Sequence, residues 1–264
     1  MSEDIIKLTK FSNFLADNAR KISLKYFKKK KIKIISKDKD IFDPVTIADI
    51  TIQKKINQLI NKYYPSHSIL GEEDSIIKSS EYEWCIDPID GTKSFIQGVP
   101  LWGTLISLAK NNKIIVGIAD IPALDERYIG YANKSYKLIK NKKYNLKVRN
   151  NTKLGECILN TTSPYVFANK SDQRSFEKLN RKVKSTRLGG DCYSYCLLAD
   201  GHVDIVLESG LKPWDIRALE PIITNAGGKI RTWENNEILS GGRIIACNNS
   251  KLFTNIIKVI KKTQ

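Results

Sequence analysis

Apolar residues in the first quarter of the chain recur at the spacing of helices. The pattern predicts an amphipathic helix over residues 4–28 and a second helix over about 48–63. The first apolar stripe is Ile5, Leu8, Leu15, Ile22 and Tyr26, and the second is Ile52, Ile56, Leu59 and Ile60. The second helix should end near Tyr64-Pro65, because the residue before a proline avoids the helical region of backbone space.

Runs rich in β-branched and aromatic residues predict strands after the second helix. Apart from a hairpin, the predicted strands are a short one that leads to Gly71 and one over each of the ranges 83–87, 127–132 and 135–140. The runs 103–109 and 114–121 are split by Asn111-Asn112, which is a turn sequence, so they predict a hairpin.

Strands and helices alternate in the second half of the chain. The predicted strands are 156–160, 185–188, 203–208 and 244–247, and the predicted helices are 171–182, 191–200, 215–226 and 250–262. This alternation, without internal repeats, predicts a layered α/β arrangement. The Lys- and Asn-rich stretch 141–153 is the best candidate for a seam between an N-terminal half, 1–148, and a C-terminal half, 149–264, of one folded unit.

Length and composition are those of a globular protein. A chain of 264 residues buries about 70–75% of its unfolded surface, either as one domain or as two tightly packed halves. Apolar residues make up 41% and no run approaches the roughly 18 apolar residues that span a bilayer. The N-terminus opens on acidic residues and resembles neither a secretory leader nor a transit peptide. We therefore expect a soluble, cytoplasmic protein.

The cysteines and histidines argue against a thiolate or imidazole metal site. The five cysteines include no Cys-x-x-Cys pair, and His67 and His202 are the only histidines. Neither disulfides nor a structural zinc is therefore predicted, and oxygen atoms are the metal ligands that the chain offers.

The net charge of +16 makes nucleic acid a candidate partner, because basic surfaces attract polyanions. The lysines are, however, spread along the chain, and the one dense run, Lys28 to Lys31, lacks interleaved aromatic residues for base stacking. A solvated lysine-rich surface that attracts small anions is the simpler interpretation. The sequence therefore disfavours nucleic acid as a partner.

Carboxylates are crowded around one predicted strand end. Asp87 and Asp90 lie three residues apart across Pro88, whose fixed backbone angle favours a tight exit from a strand. Both carboxylates can then face one point, with the Ile89 carbonyl turned to the same side. Two such groups raise each other's pKa unless a cation lies between them. Glu72 precedes this segment and Mg²⁺ prefers oxygen ligands, so the pattern predicts a divalent metal site.

An anion site follows the carboxylates directly. Gly91 and Thr92 can open a helical turn whose backbone N–H groups face an anion, and a metal beside an anion site indicates phosphate. The segment 91–94 lacks the Gly-Lys-Ser order of a P-loop. The chain also has no Cys-x₅-Arg and no Asp-x-Asp-x-Thr motif, which disfavours covalent phosphatase chemistry.

Three motifs identify a family when taken together. They are Gly71-Glu72-Glu73, Trp84-Cys85-Ile86-Asp87-Pro88-Ile89-Asp90-Gly91-Thr92, and Trp214-Asp215-Ile216-Arg217-Ala218 with Gly227-Gly228. In order and spacing they resemble the inositol monophosphatase family of lithium-sensitive, Mg²⁺-dependent phosphomonoesterases. The resemblance implies a five-layer αβαβα sandwich and a homodimer. It places four carboxylates and one carbonyl as metal ligands: Glu72, Asp87, Asp90, Asp215 and the Ile89 oxygen.

The same resemblance implies the catalytic arrangement. Within Asp43-Pro44-Val45-Thr46-Ile47-Ala48-Asp49, it puts Asp49 beside Thr92 as the pair that orients and activates the attacking water. Glu72 assists catalysis, Gly91 and Thr92 bind phosphate, and two or three Mg²⁺ ions are bound in each active site. No phosphoenzyme should form. The simpler interpretation of Thr46 and Asp49 is that they begin the second helix.

Other segments are most similar to the histidinol-phosphatase branch of the family. They are Gly98-Val99-Pro100-Leu101-Trp102-Gly103-Thr104-Leu105, Leu188-Gly189-Gly190-Asp191-Cys192-Tyr193-Ser194-Tyr195, and Glu208-Ser209-Gly210-Leu211-Lys212-Pro213-Trp214-Asp215. L-Histidinol phosphate carries an ammonium and an imidazole, which require acidic partners, whereas inositol offers neutral hydroxyls. Asp191 and Glu208, with Gly190, lie where the family contacts the alcohol. Asp191 has a simpler interpretation as a helix N-cap, and inositol enzymes also have a glutamate at the Glu208 position.

Three functions stay open at this stage. The favoured one is Mg²⁺-dependent hydrolysis of L-histidinol phosphate in histidine biosynthesis. The second is hydrolysis of inositol 1-phosphate or of a 3′(2′),5′-bisphosphate nucleotide by the same fold. The third is a binding protein that uses its basic surface on RNA or a transcription complex; the intact ligand set argues against this as the sole role.

Overall fold

Two β-sheets and the helices that cover them form the fold in the computed structural model, which describes residues 3–29, 34–36, 44–140 and 142–261. The helices are α1 (Glu3–Tyr26), α2 (Ile47–Tyr63), α3 (Thr92–Gln97), α4 (Lys170–Asn180), α5 (Asp191–Ala199), α6 (Pro213–Ile216), α7 (Leu219–Asn225) and α8 (Ser250–Ile260). The strands are β1 (Ile34–Ser36), β2 (Pro44–Thr46), β3 (Ser68–Gly71), β4 (Tyr82–Asp90), β5 (Gly103–Lys110), β6 (Lys113–Ile121), β7 (Glu126–Tyr131), β8 (Lys134–Ile139), β9 (Lys142–Asn145), β10 (Ile158–Thr161), β11 (Ser185–Leu188), β12 (Ile205–Leu211), β13 (Lys229–Thr232) and β14 (Gly242–Cys247).

The larger sheet is a meander. Within the described residues it has seven strands in the order β3-β4-β5-β6-β7-β8-β9. β3 and β4 are parallel, and the other neighbours are antiparallel. The predicted hairpin is β5–β6, and its turn residues Asn111 and Asn112 have φ of 47° and 60°. Asparagine tolerates this left-handed conformation better than most residues, which is why it suits the turn.

The smaller sheet has the order β11-β10-β12-β14-β13 in the described part of the chain. β10, β11 and β12 are parallel, whereas β14 runs antiparallel to both β12 and β13. A separate short ribbon pairs β1 with β2. The parallel strands are connected through helices, as parallel pairing requires.

Three apolar cores define five layers. α1 and α2 pack on one face of the larger sheet, where Ile52 and Trp84 are fully buried. α5 and α7 fill the space between the sheets, with Leu219 and Ile222 in that core. α4 and α8 cover the outer face of the smaller sheet. The predicted αβαβα sandwich is therefore confirmed.

Most predicted elements are present with shifted ends. The predicted helix 215–226 is divided into α6 and α7. Pro221 has no N–H for the Arg217 carbonyl, so the i to i−4 ladder is interrupted there. Strand β13 was not predicted, and β9 lies inside the stretch 141–153 that the sequence marks as a seam.

Several sequence predictions involve residues outside the described ranges. These residues are Met1, Ser2, Lys30, Lys31, Asp43, Asn141 and Lys262. Within the described ranges, no helix has both the length and the hydrophobicity to cross a membrane.

Candidate active site

An acidic pocket of about 410 Å³ lies where the end of β4 meets α5, α6 and β12. Six carboxylates line it: Glu72, Asp87, Asp90, Asp191, Glu208 and Asp215. These are residues that the sequence analysis singled out, drawn from both halves of the chain. The fold therefore brings the predicted metal ligands and two predicted substrate contacts, Asp191 and Glu208, into one cavity, and the third, Gly190, lies outside its lining.

Asp87 and Asp90 face the pocket because β4 is irregular at its end. Its register against β5 shifts between these two residues, at Pro88, which cannot donate a hydrogen bond to the neighbouring strand. The Pro88 carbonyl accepts a hydrogen bond of 2.8 Å from Thr104 on β5. One ligand oxygen from each of Asp87, Asp90 and Asp215 lies within 4.8 Å of the other two.

Asp215 reaches this cluster from the other half of the chain. It lies in α6, and its Oδ2 accepts a hydrogen bond of 2.7 Å from the Lys212 N–H at the start of that helix. Two residues later, Arg217 forms an ion pair of 2.6 Å with Glu83 on β4. This ion pair joins α6 to the strand that carries Asp87 and Asp90.

Glu72 is presented by the parallel strand beside β4. Its N–H donates to the Ile86 carbonyl at 3.1 Å, which continues the β3–β4 pairing by one residue. Gly71 precedes it in a confined position, because a Cβ there would lie 2.4 Å from the Asp74 carbonyl oxygen and 2.5 Å from Gln53 Nε2. Only glycine fits at this position without displacing backbone.

The metal-site carboxylates repel one another without a cation. Burial raises the pKa of Asp87 well above its ordinary value, and Glu72, Asp90 and Asp215 raise it further. Burial also raises the pKa of Asp90, with added repulsion from Asp191 and Asp215. Asp87 Oδ1 is buried and has no hydrogen-bond partner in the described part of the chain. Clustered oxygen donors with an orphaned carboxylate oxygen fit a hard divalent cation.

Asp49 caps the start of α2 with one carboxylate oxygen, and its other oxygen accepts no hydrogen bond from the described residues. Its Oδ2 accepts from the Thr46 N–H at 2.8 Å and from the Thr46 hydroxyl at 2.5 Å. Thr46 and Asp49 thus form a capping box, as the simpler interpretation of these residues predicted. Asp49 Oδ1 is buried without a partner among the described residues. Burial raises the pKa of Asp49 to about 7, against the hydrogen bonds from Thr46 and with repulsion from Glu72 and Glu73.

Thr92 lines the pocket at the first position of α3. Its hydroxyl donates to the Ile89 carbonyl at 3.0 Å, so its single proton is directed to that oxygen and not to Asp49. Gly91 precedes it with φ of 82°, a left-handed conformation that favours glycine. The predicted helical turn does open here, and Gly91 and Thr92 line the same pocket as the carboxylate cluster.

Asp191 packs against that turn without capping its own helix. The N-cap of α5 is Gly190, and the Asp90 carboxylate accepts the Cys192 N–H at 2.6 Å. The N-cap interpretation of Asp191 is therefore wrong. Its Oδ2 instead accepts from the Ser94 hydroxyl at 3.1 Å. Burial raises the pKa of Asp191, against this hydrogen bond and the charge of Lys93.

Glu208 lies on β12 with both carboxylate oxygens engaged. Oε1 accepts from the Thr162 N–H at 2.5 Å, and Oε2 accepts from the Thr161 hydroxyl at 3.2 Å. These contacts come from the last residue of β10, the parallel neighbour of β12, and from the residue that follows it. Burial raises the pKa of Glu208 to about 8, against the hydrogen bonds from Thr162 and Thr161 and with repulsion from Asp191.

Some pocket residues were not singled out from the sequence. Thr162 supports Glu208, Ser94 supports Asp191, and Tyr195 and Lys212 line the cavity. Tyr195 has one usable sequence signal, because it follows Asp191 by four residues on a predicted helix and so shares its face. The threonine and serine contacts depend on pairing between distant segments. Both histidines lie outside the pocket lining.

Known proteins resemble this chain along nearly its whole length. The pattern of the inositol monophosphatase family matches residues 4–264. A bifunctional phosphatase IMPL2 of Arabidopsis thaliana, described as chloroplastic, is 44% identical over 86% of this chain, which spans 64% of that protein. A histidinol-phosphatase of Chlorobaculum parvum is 30% identical over 93% of both chains. The solved structure of an inositol monophosphatase from Zymomonas mobilis is 31% identical over 98% of both chains, with a TM-score of 0.84. The chain belongs to the inositol monophosphatase family.

Proposed function

We propose that the protein is a Mg²⁺-dependent phosphomonoesterase that hydrolyses L-histidinol phosphate to L-histidinol and inorganic phosphate. The observation that carries the substrate assignment is a pair of acidic groups, the half-buried Asp191 and the buried Glu208, that line the pocket in addition to the predicted metal ligands. Histidinol-phosphatases about 30% identical to this chain support it, as does its family membership.

The acidic cluster fits Mg²⁺ as a resident cofactor. Glu72, Asp87, Asp90 and Asp215, with the Ile89 carbonyl, are the residues that would hold two or three ions. Bound Mg²⁺ supplies positive charge that activates water and stabilises the oxygen that leaves phosphorus. The orphaned Asp87 Oδ1 and the raised pKa values of Asp87 and Asp90 support this role, because a bound cation would contact that oxygen and favour the ionised carboxylates.

The chain's own residues would orient the reacting groups. Asp49 Oδ1 is free to accept a hydrogen bond from water, and with a pKa of about 7 it can take a proton near neutral pH. We infer that Thr92 shares that water, and that the N–H groups of Gly91 and Thr92 hold the phosphate. The Thr92 hydroxyl would have to rotate from the Ile89 carbonyl to do so, which is a single-bond rotation.

The acidic end of the pocket suits a cationic alcohol. An ammonium or imidazolium beside Glu208 would favour the ionised carboxylate and lower its pKa from about 8. Such a ligand would also relieve the repulsion between Glu208 and Asp191. A neutral alcohol would leave that repulsion in place, so the electrostatics favour L-histidinol over inositol. By extension from the family resemblance, we also propose a homodimer that is inhibited by Li⁺.

The decisive experiment is phosphate release by the purified protein with Mg²⁺. The substrates are L-histidinol phosphate, inositol 1-phosphate and 3′-phosphoadenosine 5′-phosphate, with Asp87→Asn as the blank. We expect a kcat/KM at least about 100-fold higher for L-histidinol phosphate, the discrimination that one matched charge contact can give. Equal or reversed efficiencies would overturn the substrate assignment and leave the phosphatase assignment standing.

Inositol 1-phosphate is the second candidate, because the inositol monophosphatase from Zymomonas mobilis is 31% identical over nearly the whole chain. Asp191→Asn separates the two candidates. It removes a charge that a cationic alcohol needs, and the amide can still accept the Ser94 hydrogen bond. A drop in turnover of L-histidinol phosphate alone supports the first candidate, and an unchanged preference supports the second.

A further inference from the structure

Besides Asp87 Oδ1, a second polar group in the active-site pocket has no partner among the described residues. Tyr195, on α5, lines the pocket and is only 3% exposed, yet its hydroxyl makes no hydrogen bond to any described residue. Buried hydroxyls in proteins are nearly always hydrogen-bonded, because an unpaired one loses its contacts with water and gains nothing. The missing partner is therefore expected to be something that enters the pocket.

Neighbouring tyrosines show that this position is unusual. Tyr193 lies two residues earlier on α5, and its hydroxyl donates to Glu126 Oε2 at 3.2 Å. Tyr128, fully buried in the same core, donates to that oxygen at 2.7 Å. Both of these phenols are fixed by protein contacts. Tyr195 lies on the same helix and lines the cavity, and its buried hydroxyl has no partner among the described residues.

Charges around Tyr195 define what it can bind. Burial raises the pKa of its phenol, and the three carboxyls that raise it further are Glu208, Asp90 and Asp215. Tyr195 therefore lines the same pocket as a predicted contact of the alcohol, Glu208, and two predicted metal ligands, Asp90 and Asp215. A neutral phenol among carboxylates acts as a hydrogen-bond donor. Its natural acceptor is a substrate oxygen at the junction between phosphate and alcohol.

We propose that the Tyr195 hydroxyl donates a hydrogen bond to the ester oxygen of the substrate, the oxygen that becomes the hydroxyl of the product alcohol. The proposal rests on the function as a phosphomonoesterase, but not on the identity of the alcohol. During hydrolysis the oxygen of water bonds to phosphorus, the phosphorus–ester oxygen bond breaks, and the departing oxygen takes up a proton released by the water. Tyr195 keeps its own proton throughout.

The position of the donor explains why it would assist catalysis. Negative charge grows on the ester oxygen as its bond to phosphorus breaks, so a fixed donor there binds the transition state more strongly than the substrate. The benefit is greatest when the leaving oxygen is a poor leaving group, as in an alkyl alcohol. It is small for p-nitrophenolate, whose ring already delocalises the charge.

The test is Tyr195→Phe, with Tyr193→Phe as the matched control on the same helix. Each variant is assayed with the alkyl phosphate that the wild-type protein hydrolyses best and with p-nitrophenyl phosphate. We expect Tyr195→Phe to lower kcat for the alkyl phosphate about 100-fold, which is typical for loss of one transition-state donor. Its kcat for p-nitrophenyl phosphate should fall less than about threefold, and its Tm should be unchanged or higher because an unpaired buried hydroxyl is removed. Tyr193→Phe should leave the ratio of the two rates unchanged.

Two results would overturn the proposal. One is an equal loss on both substrates, which would indicate a general effect on the pocket; the other is no loss on either. Ser194→Ala is a second control, because Ser194 is adjacent on the helix and outside the pocket lining. It tests whether any change in α5 alters the ratio of the rates on the alkyl phosphate and on p-nitrophenyl phosphate. The wild-type substrate ranking decides the proposed function separately, so the two proposals can fail independently.

Discussion

The two ends of the pocket stabilise negative charge in different ways. We call the end with Asp87, Asp90 and Asp215 the metal end and the end with Glu208 the alcohol end, after the ligands proposed for them. At the metal end, ligand oxygens of Asp87, Asp90 and Asp215 lie within 4.8 Å of one another, and Asp87 Oδ1 has no partner in the described chain. At the alcohol end, Glu208 is equally buried, but Thr161 and Thr162 occupy both of its oxygens.

This difference shows which groups need an external ligand. The metal-end carboxylates are positioned by strand ends and helix starts, and burial and neighbouring carboxylates raise the pKa values of Asp87 and Asp90. Glu208 is held in place by its own hydrogen bonds, and its remaining penalties are burial and repulsion from Asp191. We therefore expect the metal end to depend on cations for both activity and stability, and the alcohol end to be preorganised before any ligand binds.

The largest expected effect is the loss of activity in Asp87→Asn. This change removes a charge that the proposed Mg²⁺ needs, so kcat should fall by at least about 10³-fold. The free protein should melt at a higher temperature, because a buried, repelling carboxylate becomes neutral. Phosphate release and thermal melting with and without Mg²⁺ measure both effects. Glu81→Gln, an exposed change before the same strand, is the control. Full activity in Asp87→Asn would contradict the metal assignment.

Asp49→Asn should have the next largest effect. The amide oxygen can still accept the Thr46 N–H, so the start of α2 should persist, but the proton acceptor is lost. We expect kcat to fall about 100-fold while Mg²⁺ affinity, measured by calorimetry, changes little. Asp125→Asn is a matched control on a remote turn, where φ of 55° suits asparagine as well as aspartate. A large loss of Mg²⁺ affinity would instead place Asp49 among the metal ligands.

Glu208→Gln tests the alcohol end with a smaller effect. Gln can accept the Thr162 N–H, so the side chain should stay in place without its charge. We expect KM for L-histidinol phosphate to rise about 10- to 100-fold, with less than about a threefold change for inositol 1-phosphate. Steady-state kinetics on both substrates measure the difference. Equal changes for the two substrates would show that Glu208 does not recognise a positive charge.

The sequence predicted the groups that carry charge and missed those that hold them. Asp87, Asp90 and Asp215 were found because carboxylates beside Pro88 and Trp214 form recognisable motifs. Thr161 and Thr162 were not, because their role arises only when β10 lies parallel to β12, 40 or more residues away in the chain. A hydroxyl or N–H can support a carboxylate from any segment that the fold brings near.

The elements of the fold were likewise predicted where the sequence carries a local pattern and missed where it does not. Helices α1 and α2 were predictable from their apolar stripes, and the β5–β6 hairpin from its turn. Strand β9 is exposed at every residue and forms by backbone pairing with β8, so it leaves no hydrophobic pattern to detect. The break between α6 and α7 was missed because the apolar periodicity continues across Pro221.

The smallest expected effect is a pH-dependent gain in stability in Glu208→Gln. The folded pKa of Glu208, about 8, is above the ordinary value of 4.5, so the folded state retains this proton more strongly than the unfolded state. The stabilisation from the neutral carboxyl is fully present below pH 4.5 and is lost as pH rises through about 8. Gln stays neutral throughout, so the free energy of unfolding of the metal-free variant should match that of the wild-type protein at low pH and exceed it above the Glu208 pKa of about 8.

We expect a Tm difference of at least about 2–4 °C, the shift given by about 1 kcal/mol in a chain of this size. Thermal melting of both proteins in chelator across this pH range measures the Tm difference. Titration of the groups that both proteins share affects both Tm values and so cancels in that difference. A constant difference at all pH values would mean that folding does not raise the pKa of Glu208, and that the hydrogen bonds from Thr161 and Thr162 fully offset the cost of burying its charge.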